Sequence, residues 1–253
     1  KKAQAKIAEQ NRLNKLAEKK RLAKIAETKR QSEIAEQNRL ARIAKAKKEL
    51  EIAKQKRIGL KAYNEGSYDL ALKQLKPVAN SGDAEAQKIY GTIAYKGTAT
   101  RAKDFEIALI VLKSAAILGQ LDAYWTIADI YSKGGYGVLK NPRKAFDSYE
   151  KLARNGNSRA QHKLGLLYLN GDGVEKDNKR AAELFTVSAN QGNALAQCNL
   201  GQMYRTGEGV EKDLKRAAKL FTLSADQGIA EAQYNLGVMY ANGQGVEKDA
   251  KRA

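Results

Sequence analysis

The chain has one cysteine, Cys198, and two prolines in 253 residues. A lone thiol excludes an intramolecular disulfide framework and leaves the redox compartment open. Aromatics reach only 7%, and β-branched runs of strand length are absent, which argues against a sheet protein. No apolar stretch approaches the roughly 20 residues a helix needs to cross a bilayer. No secretory signal is visible, although the chain opens on Lys1 and stops at Ala253 inside a repeat, as an excised piece would. Residues 1–58 contain neither Gly nor Pro, and no aromatic precedes Tyr63. That leaves the N-terminal part without a stacking platform for bases, and no DNA-reading motif accompanies it.

What is present is Ala, Leu and Ile in quantity, the composition of helices, and positive charge. The formal charge is +18. Residues 1–58 hold 19 Lys/Arg against 7 Asp/Glu, a net +12, so most of the excess lies in the first quarter of the chain. This segment repeats every nine residues. Ile7-Ala8-Glu9, Leu16-Ala17-Glu18, Ile25-Ala26-Glu27, Ile34-Ala35-Glu36, Ile43-Ala44-Lys45 and Ile52-Ala53-Lys54 are one triplet written six times. The pairs Glu9–Arg12, Glu18–Arg21, Glu27–Arg30 and Glu36–Arg39 stand at i,i+3, each worth a few tenths of a kcal/mol on a helix surface. A long helix over 1–58 is expected. It is not an ordinary coiled coil, whose heptads keep one apolar seam. Nine residues make two and a half turns, so successive triplets face opposite sides. Such an arm suits a place between two partner helices, with self-association through residues 1–58, or a solitary charged helix. Its charge fits an anionic surface (membrane lipid, lipopolysaccharide or nucleic acid) or a solvated spacer.

From Gly82 the chain repeats at 36–37 residues, with Gly82, Gly119, Gly156, Gly192 and Gly228 in register. A period of this length signals a solenoid. The predicted units are 82–118, 119–155, 156–191, 192–227 and a truncated 228–253, preceded by a degenerate starting hairpin over 59–81. Four residues after each glycine stands Ala86, Ala123, Ala160, Ala196 or Ala232; nine after it stands Gly91, Gly165, Gly201 or Gly237, with Ala128 in the second unit. A glycine inside a helix costs about 1 kcal/mol against Ala, so its repetition predicts a close approach by another helix. Glycine pairs such as Gly171/Gly173 supply the connecting loop, and Asp177, Asp213 and Asp249 stand where the second helix needs an N-cap.

The pattern A-x-x-x-L-G-x-x-Y-x-x-G-x-G-V-x-x-D-x-x-[KR]-A resembles the Sel1-like repeat, a relative of the tetratricopeptide repeat. The match covers 82–253 and is tightest in the last three units; Thr98-Ala99-Thr100 replaces the glycine-rich loop in the first, and Asn141 replaces the capping Asp in the second. The resemblance implies an all-α fold, a right-handed α/α superhelical solenoid of helical hairpins behind a long basic helix. It implies a scaffold or adaptor for protein or peptide partners, common in bacteria, in the cell envelope, periplasm or cytoplasm. Disulfide-rich relatives bind penicillin-like ligands, but the paired cysteines are missing here, so no small-molecule substrate is expected.

Solenoids bind on their concave face, and in this family the first helices line it. Positions free to serve a ligand should vary between units while core positions repeat. Offsets 3, 6, 10 and 13 from the unit glycine form one helical face. They give Glu85, Lys88, Asp122, Trp125, Asp129, Arg159, His162, Gln202, Arg205 and Tyr234, with Tyr124 beside Trp125. This mixture of aromatics and both charge signs suits a peptide groove with Trp125 at its centre.

Catalysis has little to stand on. His162 is the sole histidine and no nucleophile is marked for it, which favours a surface or groove histidine. Cys198 fills the same slot as His162 and Tyr234, so an ordinary thiol is expected. Ser148-x-x-Lys151 fits S-x-x-K without its companion motifs. The loop Asn170–Asp177 looks like a calcium loop, yet Asp172 becomes Glu208 and Gln244 while the glycines persist, so backbone is specified and a metal ligand is not. The expectation is a non-enzymatic scaffold with no cofactor and no metal.

Overall fold

The computed structural model describes residues 2–252, and side chains from Ile7 on, Ala8 excepted. The outermost residues of the predicted ranges 1–58 and 82–253 therefore lie outside the described residues. The chain divides into two compact units, one ending at Gln55 and one beginning at Lys56.

The first unit is a single stretch of helix α1, which spans Lys2–Asn64. Each Leu and Ile from Ile7 to Leu50 is exposed, by 42% to 72%. Nothing in this unit is buried against a core, so its helicity rests on good helix formers and local pairs. Glu36 and Arg39 meet at 3.5 Å as the spacing predicts, and Lys45 approaches Glu49 at 3.9 Å.

The second unit is a run of antiparallel helical hairpins. The last turns of α1 pack on α2 (Tyr68–Asn80). There follow α3 (Ala84–Lys96) with α4 (Phe105–Ile117), α5 (Ala123–Lys133) with α6 (Pro142–Arg154), α7 (Ser158–Asn170) with α8 (Asn178–Asn190), and α9 (Ala194–Thr206) with α10 (Leu214–Ala225). α11 (Ala230–Asn242) is the first helix of a further hairpin. Each helix packs on the next in sequence, which is the one-dimensional order of a solenoid. No strand occurs among the described residues.

The helices start where side-chain caps allow. Asp104, Asp177 and Asp213 each accept the backbone N–H three residues on, at 2.9 Å, and Asn141 does the same for Lys144 at 3.0 Å. The first helices of three units are capped alike by Asp83, Asn157 and Asn193. The repeated helical glycine is explained by its partner. A Cβ on Gly165 would stand 2.6 Å from the ring of Phe185, and one on Gly201 3.1 Å from that of Phe221. Both rings are fully buried, so the glycine lets the second helix of the same hairpin seat an aromatic against bare backbone. Gly59 near the end of α1 has the same relation to Leu75, which makes the last turns of α1 the first helix of a hairpin.

Repeated polar stitches tie the two helices of a hairpin together and link one hairpin to the next. Ser188 donates to the Ser158 carbonyl and Ser224 to the Ala194 carbonyl, both at 2.7 Å. Gln191 donates to Gln161, which donates to the Ala153 carbonyl; Gln227, Gln197 and Ala189 repeat that chain one unit later. The connecting loop also docks on the preceding unit. Gly173 has φ +75°, and a Cβ there would strike the Pro142 carbonyl at 2.5 Å; Gly209 and Gly245 abut Asn178 and Leu214 in the same way. Where Thr98-Ala99-Thr100 replaces glycine, the docking is done by hydroxyls instead. Thr98 and Thr100 donate to the Asp69 carboxylate at 2.6 and 2.7 Å, which holds that carboxyl below its usual range.

Candidate interaction surface

The first helices α3, α7 and α9 bury offsets 4, 5, 8 and 9, as at Ala160, Gln161, Leu164 and Gly165. The opposite face lies at offsets 3, 7, 10 and 14, in α7 and α9 exposed at 3 and 14 and half-buried at 7 and 10. In α7 these are Arg159, Lys163, Leu166 and Asn170; in α9 they are Leu195, Asn199, Gln202 and Thr206. At 3.6 residues per turn, offset 6 is rotated roughly 70° from the centre of that face. It points toward the next first helix.

That rotation corrects the expected placement of His162. The ring is 4% exposed, lies 5.6 Å from the Phe185 ring centroid, and has Nε2 3.2 Å from the Asn199 amide of the following unit. It is a seam residue between α7 and α9. Burial, aided by the nearby Lys163 charge, pulls its pKa down to about 4. Cys198 occupies the equivalent seam of the next unit, is 2% exposed, and burial pushes its thiol up to about 11, far from a reactive thiolate.

The other predicted residues fall in three groups. Glu85 and Lys88 are half-buried on α3, and Glu85 is held by Lys56, which bridges it at 3.0 Å and Asp83 at 2.8 Å. Gln202 accepts from Arg205 at 3.0 Å on α9, and Tyr234 on α11 is 72% exposed. Between them the structure assembles a cluster. Trp125 is half-buried; its indole meets the Tyr149 ring edge-on at 5.5 Å, and the exposed Arg159 guanidinium stacks 4.9 Å from its centroid. Tyr124, also half-buried, packs into the core beneath. Asp122, at the head of α5, is exposed. One turn beyond Trp125, Asp129 accepts from the Tyr95 hydroxyl and, at 2.8 Å, from Lys133. These contacts raise the Lys133 ammonium above its ordinary value, and burial together with the Asp129 acceptor raises the Tyr95 phenol.

Tyr149 and Lys133 were not legible as members of this surface. Tyr149 comes from a second helix and reaches the seam from below; its phenol is raised by burial. Lys133 stands at offset 14, which a face drawn through offsets 3, 6, 10 and 13 omits. Offset 14 is exposed in every first helix, and offsets 10 and 13 are half-buried in each. Among the described residues, no three His, Cys, Asp or Glu side chains come together as a metal site, and no helix is long and apolar enough to cross a membrane.

A row of capped hairpins with a repeated interior and an unrepeated outer face is the architecture of a helical-repeat scaffold. The chain belongs to the Sel1 repeat family, whose model matches residues 121–157, 158–193, 194–229 and 230–253. This is a non-catalytic helical-repeat family whose members are generally protein-interaction scaffolds. Among solved structures, a Sel1 repeat protein from Oxalobacter formigenes is 31% identical over 77% of this chain and 79% of its own, with a TM-score of 0.70. The protein c5321, a protective antigen present in uropathogenic Escherichia coli strains, is 34% identical over 70% of this chain, with a TM-score of 0.65. This chain spans 38% of the c5321 chain. No curated protein matches it significantly.

Proposed function

We propose that the repeat unit binds a protein or peptide across its first helices, with the Trp125–Arg159 cluster at the seam between α5 and α7 as the anchor. The observation that carries this reading is a contrast within one helix. Inward offsets hold the same residue types unit after unit, while the outward offsets hold Glu85, Asp122, Arg159, Leu195 and Glu231 at a single equivalent position. A surface with no structural constraint on it is available for recognition. A half-buried Trp flanked by Tyr and Arg has the composition in which binding energy concentrates. The groove residues Glu85, Lys88, Asp129, Gln202, Arg205 and Tyr234 would set specificity around it.

A second reading assigns binding to the basic arm. It is favoured by the net +12 of residues 1–58 and by their exposed lysines and arginines. These charges surround the whole helix circumference, which suits a polyanion better than the one-sided contact of a helix lying in a membrane interface. Capture of partners by the full chain at about 50 and 200 mM salt separates the two. Arm-driven binding that neutralises several phosphates falls by about 10³ or more across that range. Groove-driven binding weakens by at least about 30-fold in Trp125→Ala, the ~2 kcal/mol of an anchor residue. Capture that survives Trp125→Ala and collapses with salt removes the groove reading.

A further inference from the structure

The outer face of α4 differs at four positions from the same face of α6, α8 and α10. Counted from the N-cap, the outward positions of α8 carry Arg180, Glu183, Asn190 and Gln191; α10 carries Arg216, Lys219, Asp226 and Gln227; α6 carries Lys144, Asp147, Arg154 and Asn155. At those positions α4 and the turn after it carry Ile107, Ile110, Ile117 and Leu118. They are open to solvent: 38%, 69%, 83% and 52% exposed. Leu121, where later units have Ala194 and Ala230, extends the row at 38% exposed. Leu139, where later units have Glu175, Glu211 and Glu247, is 87% exposed in the loop that docks on the first turn of α4. Nothing in the hairpin requires these residues, because three sister hairpins fold with charges in their place. Single exposed aliphatics, such as Leu70 on α2, Val187 on α8 and Leu223 on α10, are ordinary, but the row on α4 is contiguous, and a contiguous row marks a contact surface.

Positions 107, 110, 114 and 117 have the 3-4-3 spacing of a seam that takes one facing helix. We propose that the facing helix is α4 of a second copy of this chain, paired antiparallel about a two-fold axis. The stripe is complementary to itself in that orientation. Ile107 faces Ile117 of the second copy, and the large Ile110 faces the small, half-buried Ser114, so bulk meets a gap at each level. The stripe carries no charge, so pairing sets no like charges against each other. Leu118, Leu121 and Leu139 rim it on both copies. A two-fold contact of this kind closes on itself and stops at the dimer.

The test is the mass of the full chain in solution by analytical ultracentrifugation. The wild type is expected at twice its 27.8 kDa. Ile110→Glu and Ile117→Arg install residue types that sister hairpins carry there, so both should keep the circular-dichroism spectrum of the wild type and unfold cooperatively. Each should shift the protein to the mass of one chain, with a dimer dissociation constant raised at least tenfold. A monomeric wild type overturns the proposal. So does a dimer that Ile110→Glu leaves intact, which would place association elsewhere, for instance on residues 1–58. Orientation is read in a Cys198→Ser background: a mixture of Ile110→Cys and Ser114→Cys chains should oxidise to a cross-linked dimer that neither variant forms alone, and a cross-link formed by Ile110→Cys alone overturns the antiparallel pairing.

Discussion

At the scale of single residues, the seam between first helices converts slot position into chemistry. His162, Cys198 and Tyr234 occupy one slot in three successive units, yet two are buried and Tyr234 is open. His162 is held neutral, with its pKa near 4 against 6.5 in an unfolded chain. Between those values the unfolded state takes up a proton that the folded state refuses, so stability is lost as pH falls from about 6.5 to about 4 and the loss is complete below that. His162→Gln removes this dependence while keeping a neutral partner for Asn199. Urea midpoints measured from pH 7 to pH 4 should show a variant that is less stable at pH 7 and closes the gap on acidification. A gap that is constant across the range would show that the ring is not the group responsible. The burial itself was hidden in the sequence, because a lone histidine on a variable face gives no sign of which side of a 70° rotation it occupies.

At the scale of helices, the packing explains the glycines quantitatively enough to rank them. A methyl group at Gly165 enters a 2.6 Å gap over the Phe185 ring, whereas at Gly201 the gap over Phe221 is 3.1 Å. Against the ~1 kcal/mol that Ala gains in a helix, overpacking costs about 1–3 kcal/mol. Gly165→Ala should therefore destabilise by about 1–2 kcal/mol and Gly201→Ala by clearly less, read from chemical denaturation of each variant. Much of this level was legible beforehand. Asp177 and Asp213 were readable as caps because an aspartate before an apolar-periodic run has few other uses, and the interior glycine announced a close approach. The ring that approaches was not nameable, since Phe185 belongs to the other helix and only the fold sets the two in register. The face of α4 was missed for a related reason. Ile107, Ile110 and Ile117 have the same apolar character as Leu109 and Leu112, and only their exposure separates them from those buried residues.

At the scale of the whole molecule, the repeat was the readable feature. The period gave the hairpins and the expectation of a scaffold, while Tyr149 and Lys133 entered the Trp125 cluster through contacts between units, which no spacing within a unit reveals. The same contacts between units have a consequence at the level of the gene. The stitch from Gln197 to the Ala189 carbonyl duplicates that from Gln161 to the Ala153 carbonyl, and the loop of each unit lands on its predecessor as Gly209 lands on Asn178 and Gly245 on Leu214. Any unit therefore offers its successor a junction that the next unit offers too. Excision of residues 192–227, a span of DNA that unequal recombination between near-identical repeats would remove in frame, joins Gln191 to Gly228 and restores every such junction. The shortened protein should fold cooperatively with an unchanged helical spectrum per residue and a lower denaturation midpoint, whereas a cut of 30 residues within the same region should not fold. Selection can thus lengthen or shorten the solenoid in whole units without inventing a single new internal contact.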